Sequence, residues 1–337
     1  MLGFDTRVAR ATWTVLLILM AVVLTWLARG AVLVFVLALL LTYLIAPAVV
    51  LAHRLLPIRW PYGVKLGVVY VLLFGGAGTA LFLVVSHIGR EAADLAAKLP
   101  GLVNSGGALL DQPLPAPLEP YREQIRTFVE GHIQDVIPFL GSFGRDILSG
   151  ATNLLYFVLI PILSFLFLLE APTVRVQVGE FFGDEIRRAK VDAVLADVNL
   201  CLGAYMRAVL SLVSATFVAY GIYFEATFVP YALLLAAVSA VCEFVPVVGP
   251  LTGMVLSVAV ATFSGYPYWG WMIVFLIVYR VFQDYVLSPW LLGSGVELHP
   301  ILVLFGVLVG ETVAGIPGLF LSVPAMAIIR IIYRHLR

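Results

Sequence analysis

Apolar residues come in long runs along this chain, and the runs set its plan. Stretches at 11–28, 31–51, 64–86, 151–170, 208–228, 230–262, 268–288 and 300–332 carry very few charges. A helix needs about 20 mostly apolar residues to cross a hydrocarbon core. The pattern therefore predicts an all-α, polytopic membrane bundle with about eight hydrophobic segments. Two runs, 230–262 and 300–332, are too long for one straight span. Each is either a long kinked helix or a hairpin that enters and leaves on the same side. Non-helical backbone at that depth is tolerated only where protein or a water-filled cavity covers it.

Polarity shifts twice between the runs. Residues 87–150 form an insert unlike a membrane span, with a Pro-rich turn or extended piece at Asp111–Pro120. After it, Ile125, Phe128, Val129, Ile133, Val136, Ile137 and Leu140 recur at helical spacing with charges opposite, which predicts an amphipathic helix. Residues 172–207 are the second polar stretch. Phe182, Ile186, Val194, Leu195, Val198, Leu202 and Tyr205 make its apolar stripe, so it is expected to lie at the membrane surface and then feed the next span.

The two over-long runs also hold the chain's most unusual chemistry. Glu243 opens EFVPVVGPL and Glu311 opens ETVAGIPGLF. In each, a carboxylate stands six residues ahead of a Gly-Pro-Leu or Pro-Gly-Leu run. A carboxylate in a span is expensive and faces a cavity or a partner. Interrupted hydrophobic segments in corresponding places point to the binding site of a transporter. Neither Glu has a basic residue within helical reach in sequence, so each is protonated, cation-bound or paired across helices. On the seventh run Arg280 and Asp284 stand four apart, on one helical face, with Gln283 beside them. These five are the candidate transport and coupling residues. Pro246, Gly249, Pro250, Gly310, Gly315, Pro317 and Gly318 are the candidate helix breaks lining the site. Proline withdraws an amide donor and glycine permits backbone geometry that other residues resist. The alternative for these positions is kinked helices with close packing of small residues, and for Arg280–Asp284 a structural pair at the membrane edge.

Composition agrees with a membrane chain: 62% of 337 residues are hydrophobic and 12% charged, about half the usual charged share. The net charge of zero gives no general attraction to nucleic acid. Cys201 and Cys242 form neither a disulfide framework nor a metal pattern, and read as packing residues. His299 reads as a loop-capping residue and Glu225 as a solvated rim residue. No phosphate-cradling loop, His-Glu-x-x-His or Gly-x-Ser-x-Gly occurs, so no cofactor is expected and any uphill transport draws on an ion gradient or a partner chain. The first run, Ala11 to Ala28, is expected to stay as a span because no clear cleavage motif follows it. Basic residues gather at 1–10, 52–65, 172–207 and 330–337, against Arg29 alone in the short loop after the first run. That asymmetry places both termini in the cytoplasm and the 87–150 insert outside.

From about Asn199 onward, the strings VPYALLLAAVSAVCEFVPVVGPLTG, QDYVLSPWLLG and ELHPILVLFGVLVGETVAGIPGLFLSVPAMAIIRII resemble the autoinducer-2 exporter, or PerM-like, family of bacterial permeases. The Leu-His-Pro at Leu298–Pro300 and the Val-Pro at Val323–Pro324 are the most specific parts. The earlier residues agree in layout. The resemblance implies a multi-span inner-membrane permease that assembles as a homo-oligomer, with members associated with export of the furanone autoinducer-2 and others that look like sodium/proton antiporters. At the position before Phe244 the family often carries an amide; this chain has Glu243, which can titrate.

The sequence is thus read as three regions: the first three transmembrane segments at 1–86, an extracytoplasmic polar and amphipathic insert at 87–150, and a transmembrane transport region at 151–337. The expected function is a secondary transporter exporting a small polar solute, with a sodium/proton antiporter as the alternative. A reading from another class is a non-transporting scaffold that docks a partner through the insert. An intramembrane enzyme lacks any nucleophile–base or metal spacing. The expected partners are the bilayer, a small polar solute or Na+/H+, and further copies of the chain.

Overall fold

The computed structural model describes residues 6–57, 59–79, 84–95, 97–98, 123–124, 127, 154–181, 185–246, 248–292 and 299–336. The Pro-rich piece at Asp111–Pro120 and, save for three positions, the amphipathic stretch 121–140 lie outside them. Among the described residues every regular element is helical. They run α1 (Thr6–Leu27), α2 (Arg29–Leu55), α3 (Tyr62–Tyr70), which continues as a π-helix over Val71–Ala77, and α4 (84–95). Then come α5 (Leu154–Phe181), α6 (Glu185–Ala226), α7 (Ala232–Cys242), α8 (Val248–Phe263) and α9 (Trp269–Phe282). A π-turn at Gln283–Leu287 leads into α10 (Ser288–Leu292), and α11 (Pro300–Leu336) closes the chain. Four helical stretches, Arg29–Leu55, Arg188–Ala226, Trp269–Leu291 and Pro317–His335, are long and apolar enough to cross a membrane. Shorter apolar helices accompany them. The molecule is a helical membrane bundle, as its apolar runs predict.

Both over-long runs are hairpins. In the first, α7 returns as α8: the Ser239 hydroxyl meets the Gly253 carbonyl at 3.3 Å and the Ser257 hydroxyl at 3.0 Å. A methyl group on Gly249 would lie 1.8 Å from the Cys242 carbonyl oxygen, so the two arms touch backbone to backbone at the tip. With 11 residues, α7 rises about 16 Å, roughly half of a hydrocarbon core about 30 Å thick. It cannot cross, so the hairpin is re-entrant. In the second, α11 folds back at Gly315, whose φ of 60° and ψ of −139° leave the helix. Gly310 then faces Gly318, and Gly306 faces Ser322 and Met326. The arms run antiparallel and meet through glycines because only they allow backbones so close.

The sequence places the Pro/Gly clusters at the breaks themselves, within 245–250 and 313–318. The second break falls inside its range, at Gly315, and the first begins slightly earlier than expected. The first break covers 243–246, where Glu243, Phe244 and Val245 make turn bonds to the carbonyls of Ala240, Val241 and Cys242. Gly249 and Pro250 already belong to the first turn of α8, and in the second hairpin Pro317 and Gly318 open the returning arm. Proline suits a first helical turn, whose N–H groups lack intrahelical partners. Pro246 and Gly315 thus lie at the bends, while Gly249, Pro250, Pro317 and Gly318 start the way back.

The hairpins enter from opposite ends of α6. At its early end, Asp197 pairs with Arg334 and lies 3.5 Å from His335, at the close of α11. At its late end, Ala226 leads through 227–231 directly into α7. The tips meet between these ends: the Phe244 ring stands edge-on to Phe320 with centroids 5.2 Å apart, and Phe320 also contacts Tyr205 of α6. A separate core holds α2, α3 and α5 together through Ile45, Val49, Leu66, Val69 and Leu168. Within it Tyr70 donates to the Ser164 hydroxyl at 2.8 Å, and Thr42 lies 3.1 Å from the same oxygen.

The second polar stretch feeds the next span without a separate element between them. Residues 185–207 continue without a break into a 42-residue helix, about 63 Å long. Its apolar stripe is used for packing: Leu202 and Tyr205 sit in a core with Leu40 of α2 and Val323 of α11.

The glycine contacts make a direct test. A methyl group at Gly310 would lie 2.2 Å from the Gly318 carbonyl oxygen, whereas at Gly306 the nearest atom, at 2.8 Å, is the flexible Met326 side chain. Gly310→Ala should lower thermal stability in detergent by the equivalent of about 1–3 kcal/mol, and Gly306→Ala by clearly less. Equal melting temperatures for the two variants would contradict the hairpin packing.

Candidate functional site

Ending α7 at Cys242 sends the next two side chains in different directions. Phe244 joins the second hairpin, and Glu243 turns toward α9 and α6. Its side chain is 7% exposed. The Gln283 amide donates to Oε2 at 2.8 Å, and the Thr216 hydroxyl donates to Oε1 at 3.4 Å. Arg280 Nη1 stands 4.0 Å from Oε2. Of the three states open to it in sequence, Glu243 takes pairing across helices, with a cation distant along the chain but near in space.

Arg280 gives its best geometry to the other carboxylate. Nε donates to Asp284 Oδ2 at 2.8 Å and Nη2 reaches Oδ1 at 2.7 Å, a two-pronged pair. Such a fork is the strongest arrangement a guanidinium makes with a carboxylate. Two adjacent stripes running from α9 into the π-turn produce this layout. Tyr279 and Gln283, four apart, point inward and are buried. Arg280 and Asp284, also four apart, flank them and are more exposed. The π-turn that starts at Gln283 lies where these polar groups gather, a place where such widened turns are often found.

The structure therefore brings together Glu243, Arg280, Gln283 and Asp284 of the residues singled out in sequence. Glu311 stands apart. It is exposed on the first arm of the second hairpin, and no hydrogen bond or ion pair of its side chain occurs among the described residues. Of the break residues, Pro246 lies in the first tip and Gly315 makes the second, while Gly249, Pro250, Gly310, Pro317 and Gly318 serve the arms.

Two members of the cluster escape sequence reading. Thr216 is 1% exposed in the later part of α6 and links Glu243 to the Tyr279 hydroxyl, 3.2 Å away. Tyr279 in turn stands edge-on to Tyr220, with centroids 5.3 Å apart, and Tyr223 stacks on Phe275 at 3.8 Å. This aromatic wall between α6 and α9 closes one side of the cluster. The available signal was the spacing of four between Tyr279 and Gln283; Thr216 carries none, since a lone hydroxyl in a span can bond its own helix. Among the described residues no group of three or more His, Cys, Asp or Glu could hold a metal ion.

A helical membrane protein with two opposed hairpins, the first of them re-entrant, and a charged cluster at its tip has the build of a permease. The family comparison gives the class its name: the AI-2E family transporter model matches residues 15–337, and the chain belongs to that family. "Putative transport protein YrrI" of Bacillus subtilis (strain 168) is 26% identical over 299 residues, covering 86% of this chain and 84% of the relative. "Putative transport protein YueF" of the same organism is 24% identical over 143 residues, 42% of this chain and 39% of that one. "Putative transport protein MT0215" of Mycobacterium tuberculosis (strain CDC 1551 / Oshkosh) is 32% identical over 100 residues, 29% and 27% of the two chains. The family is one of transporters, and the protein is an integral membrane protein.

The shared guanidinium makes the cluster cooperative. Removing Arg280 alone strands two carboxylates, which costs more than removing the charges together. A double-mutant cycle of Arg280→Ala and Asp284→Ala, read as thermal stability in detergent, should show a coupling of about 0.5–3 kcal/mol. Strictly additive losses would mean that the pair contributes nothing as a unit.

Proposed function

We propose that this chain is a secondary transporter that exports a small polar solute such as autoinducer-2, coupled to an ion gradient. One observation carries the reading. Glu243, buried at the tip of a re-entrant hairpin, shares a single guanidinium with Asp284. Two carboxylates against one cation leave the cluster one positive charge short. In low dielectric that charge is most readily supplied by a proton or a sodium ion. Arg280, Gln283 and Thr216 then hold Glu243 at the place where loading occurs, and Asp284 fixes the guanidinium. Glu311, on the other hairpin, is proposed as a second loading group. Its exposure toward the outside of the single chain fits a carboxylate facing a water-filled path or a further copy in a homo-oligomer.

The same charge count serves a sodium/proton antiporter, in which the cation is itself the cargo. The scaffold reading would rest on the 87–150 insert. The proposed location is the bacterial inner membrane, with both termini cytoplasmic and the insert outside, as the distribution of basic residues supports.

Flux into proteoliposomes under sodium, proton and autoinducer-2 gradients separates these readings. Glu243→Gln and Glu311→Gln keep size and hydrogen bonding but cannot titrate. At least one should abolish the pH or sodium dependence of flux while the protein still inserts and assembles. Unchanged pH and sodium responses in both variants would make the acidic residues structural and end the coupling proposal. Flux of sodium and protons without autoinducer-2 would favour the antiporter, and no flux of any kind the scaffold. Orientation is checked separately. A cysteine replacing Glu130 should react with an impermeant thiol reagent in cells stripped of their outer barrier; labelling only after the inner membrane is opened would reverse the topology.

A further inference from the structure

The hairpin arm that ends at Glu243 begins without a cap of its own. The residue before α7 is Tyr231, held at φ 60°, and its side chain closes no hydrogen bond onto the first turn. A positive φ at so bulky a residue is uncommon, and the first N–H groups of any helix lack intrahelical acceptors. Here an acceptor comes from another element. Leu234 N–H, on a residue 1% exposed, donates to Glu91 Oε2 at 2.7 Å. Glu91 lies on α4, 143 positions away in sequence, on the helix that leads into the polar insert.

The same face of α4 makes the rest of the attachment. Ile88, Ala92 and Leu95 recur at helical spacing and sink into one core with Leu234, Leu235 and Val238 of α7. At the edge of that stripe, Asp94 accepts from the Tyr231 hydroxyl at 3.2 Å. Its hydrogen bond from Lys98 holds the Asp94 carboxyl below its ordinary range, so it stays a charged acceptor. His87 stands 3.5 Å from Glu91 on the other side. Burial pushes the Glu91 carboxyl up, against the pull of the Leu234 N–H and of His87, so a neutral acceptor of the same size also suits this position.

We infer that Glu91 is a positioning residue for the Glu243 site: from α4 it supplies the N-terminal cap that α7 lacks, and it thereby sets where the first hairpin and its tip sit. The segment entering the insert is then mechanically tied to the cluster, with α7 as the rod between them. The inference rests on the proposed role of Glu243 only for its consequence in flux. The placement of the tip can be read without any transport.

The chain's two native cysteines provide the readout. Cys242 adjoins Glu243 at the tip, and Cys201 is buried on α6. Cys201→Ser leaves the tip reporter alone, and Cys242→Ser leaves the control. In full-length protein in lipid nanodiscs, Glu91→Ala should speed alkylation of Cys242 by N-ethylmaleimide about fivefold, the ratio expected for one lost cap. Cys201 should react at its original rate. Glu91→Gln, which keeps the acceptor oxygen, should bring Cys242 back to within about twofold of the parent, as a retained cap requires. An unchanged Cys242 rate in Glu91→Ala would overturn the inference. So would parallel acceleration of both cysteines, which marks general loosening, or a Gln variant as fast as Ala. Loss of ion coupling in the Glu243 variants with this alkylation pattern intact, or the reverse, tells the two proposals apart.

Discussion

Hydrocarbon does not tolerate an uncompensated charge, and the tip of the first hairpin is arranged around that limit. Arg280 is the cation that makes Glu243 affordable at 7% exposure. It also carries Asp284 in a two-pronged pair. For Glu243 to reach it, α7 must stop short of crossing and turn toward α9. The stop at Cys242 gives two ties at once. Glu243 makes a polar tie to α9 and α6, and Phe244 makes an aromatic tie to Phe320 of the second hairpin. Moving the tip would disturb both, so the cluster and the contact between hairpins are one structural unit.

Close backbone approach makes such hairpins possible inside a bilayer. Lipid gives helices no hydrophobic reason to pair, so contact area and backbone proximity must hold them. Gly249 and Gly253 bring α8 against α7; Gly310 and Gly318 do the same within α11. Turn hydrogen bonds at 243–245 cover backbone donors that lipid could not satisfy. The hairpins enter from opposite ends of α6 and meet at their tips. That geometry is shared by many membrane transporters, and here it belongs to a member of a transporter family.

The candidate site was half legible in the sequence. Arg280, Gln283 and Asp284 stand within one helical turn, and Glu243 announces itself as a carboxylate in an apolar run. That Glu243 and Arg280 belong to one cluster was not legible. They are 37 positions apart, and only the angle at which the tip leaves α7 joins them. Thr216 was hidden because a hydroxyl in a span ordinarily bonds its own helix, as Thr42 does to Ala38. Glu311 shows how far a local pattern reaches. It opens the same motif as Glu243 but faces away, because its helix continues past it to Gly315 whereas α7 ends one residue before Glu243.

By itself the sequence determined what the bilayer demands of any chain: apolar runs of spanning length, helices as the sole regular element, and charges confined to a few places inside those runs. It also limited 230–262 and 300–332 to a kink or a hairpin, since neither fits the membrane's thickness as one straight helix. The choice between the two was made in three dimensions. It depended on glycines of opposite arms meeting backbone to backbone, on the positive φ at Gly315, and on Phe244 finding Phe320. The continuity of α6 through 207 was likewise decided by packing, since its polar early turns are held by α2 and by the end of α11. Helical periodicity records which face of a segment is apolar. It does not record which partner covers that face, and the site exists only where partners from α6, α7 and α9 converge.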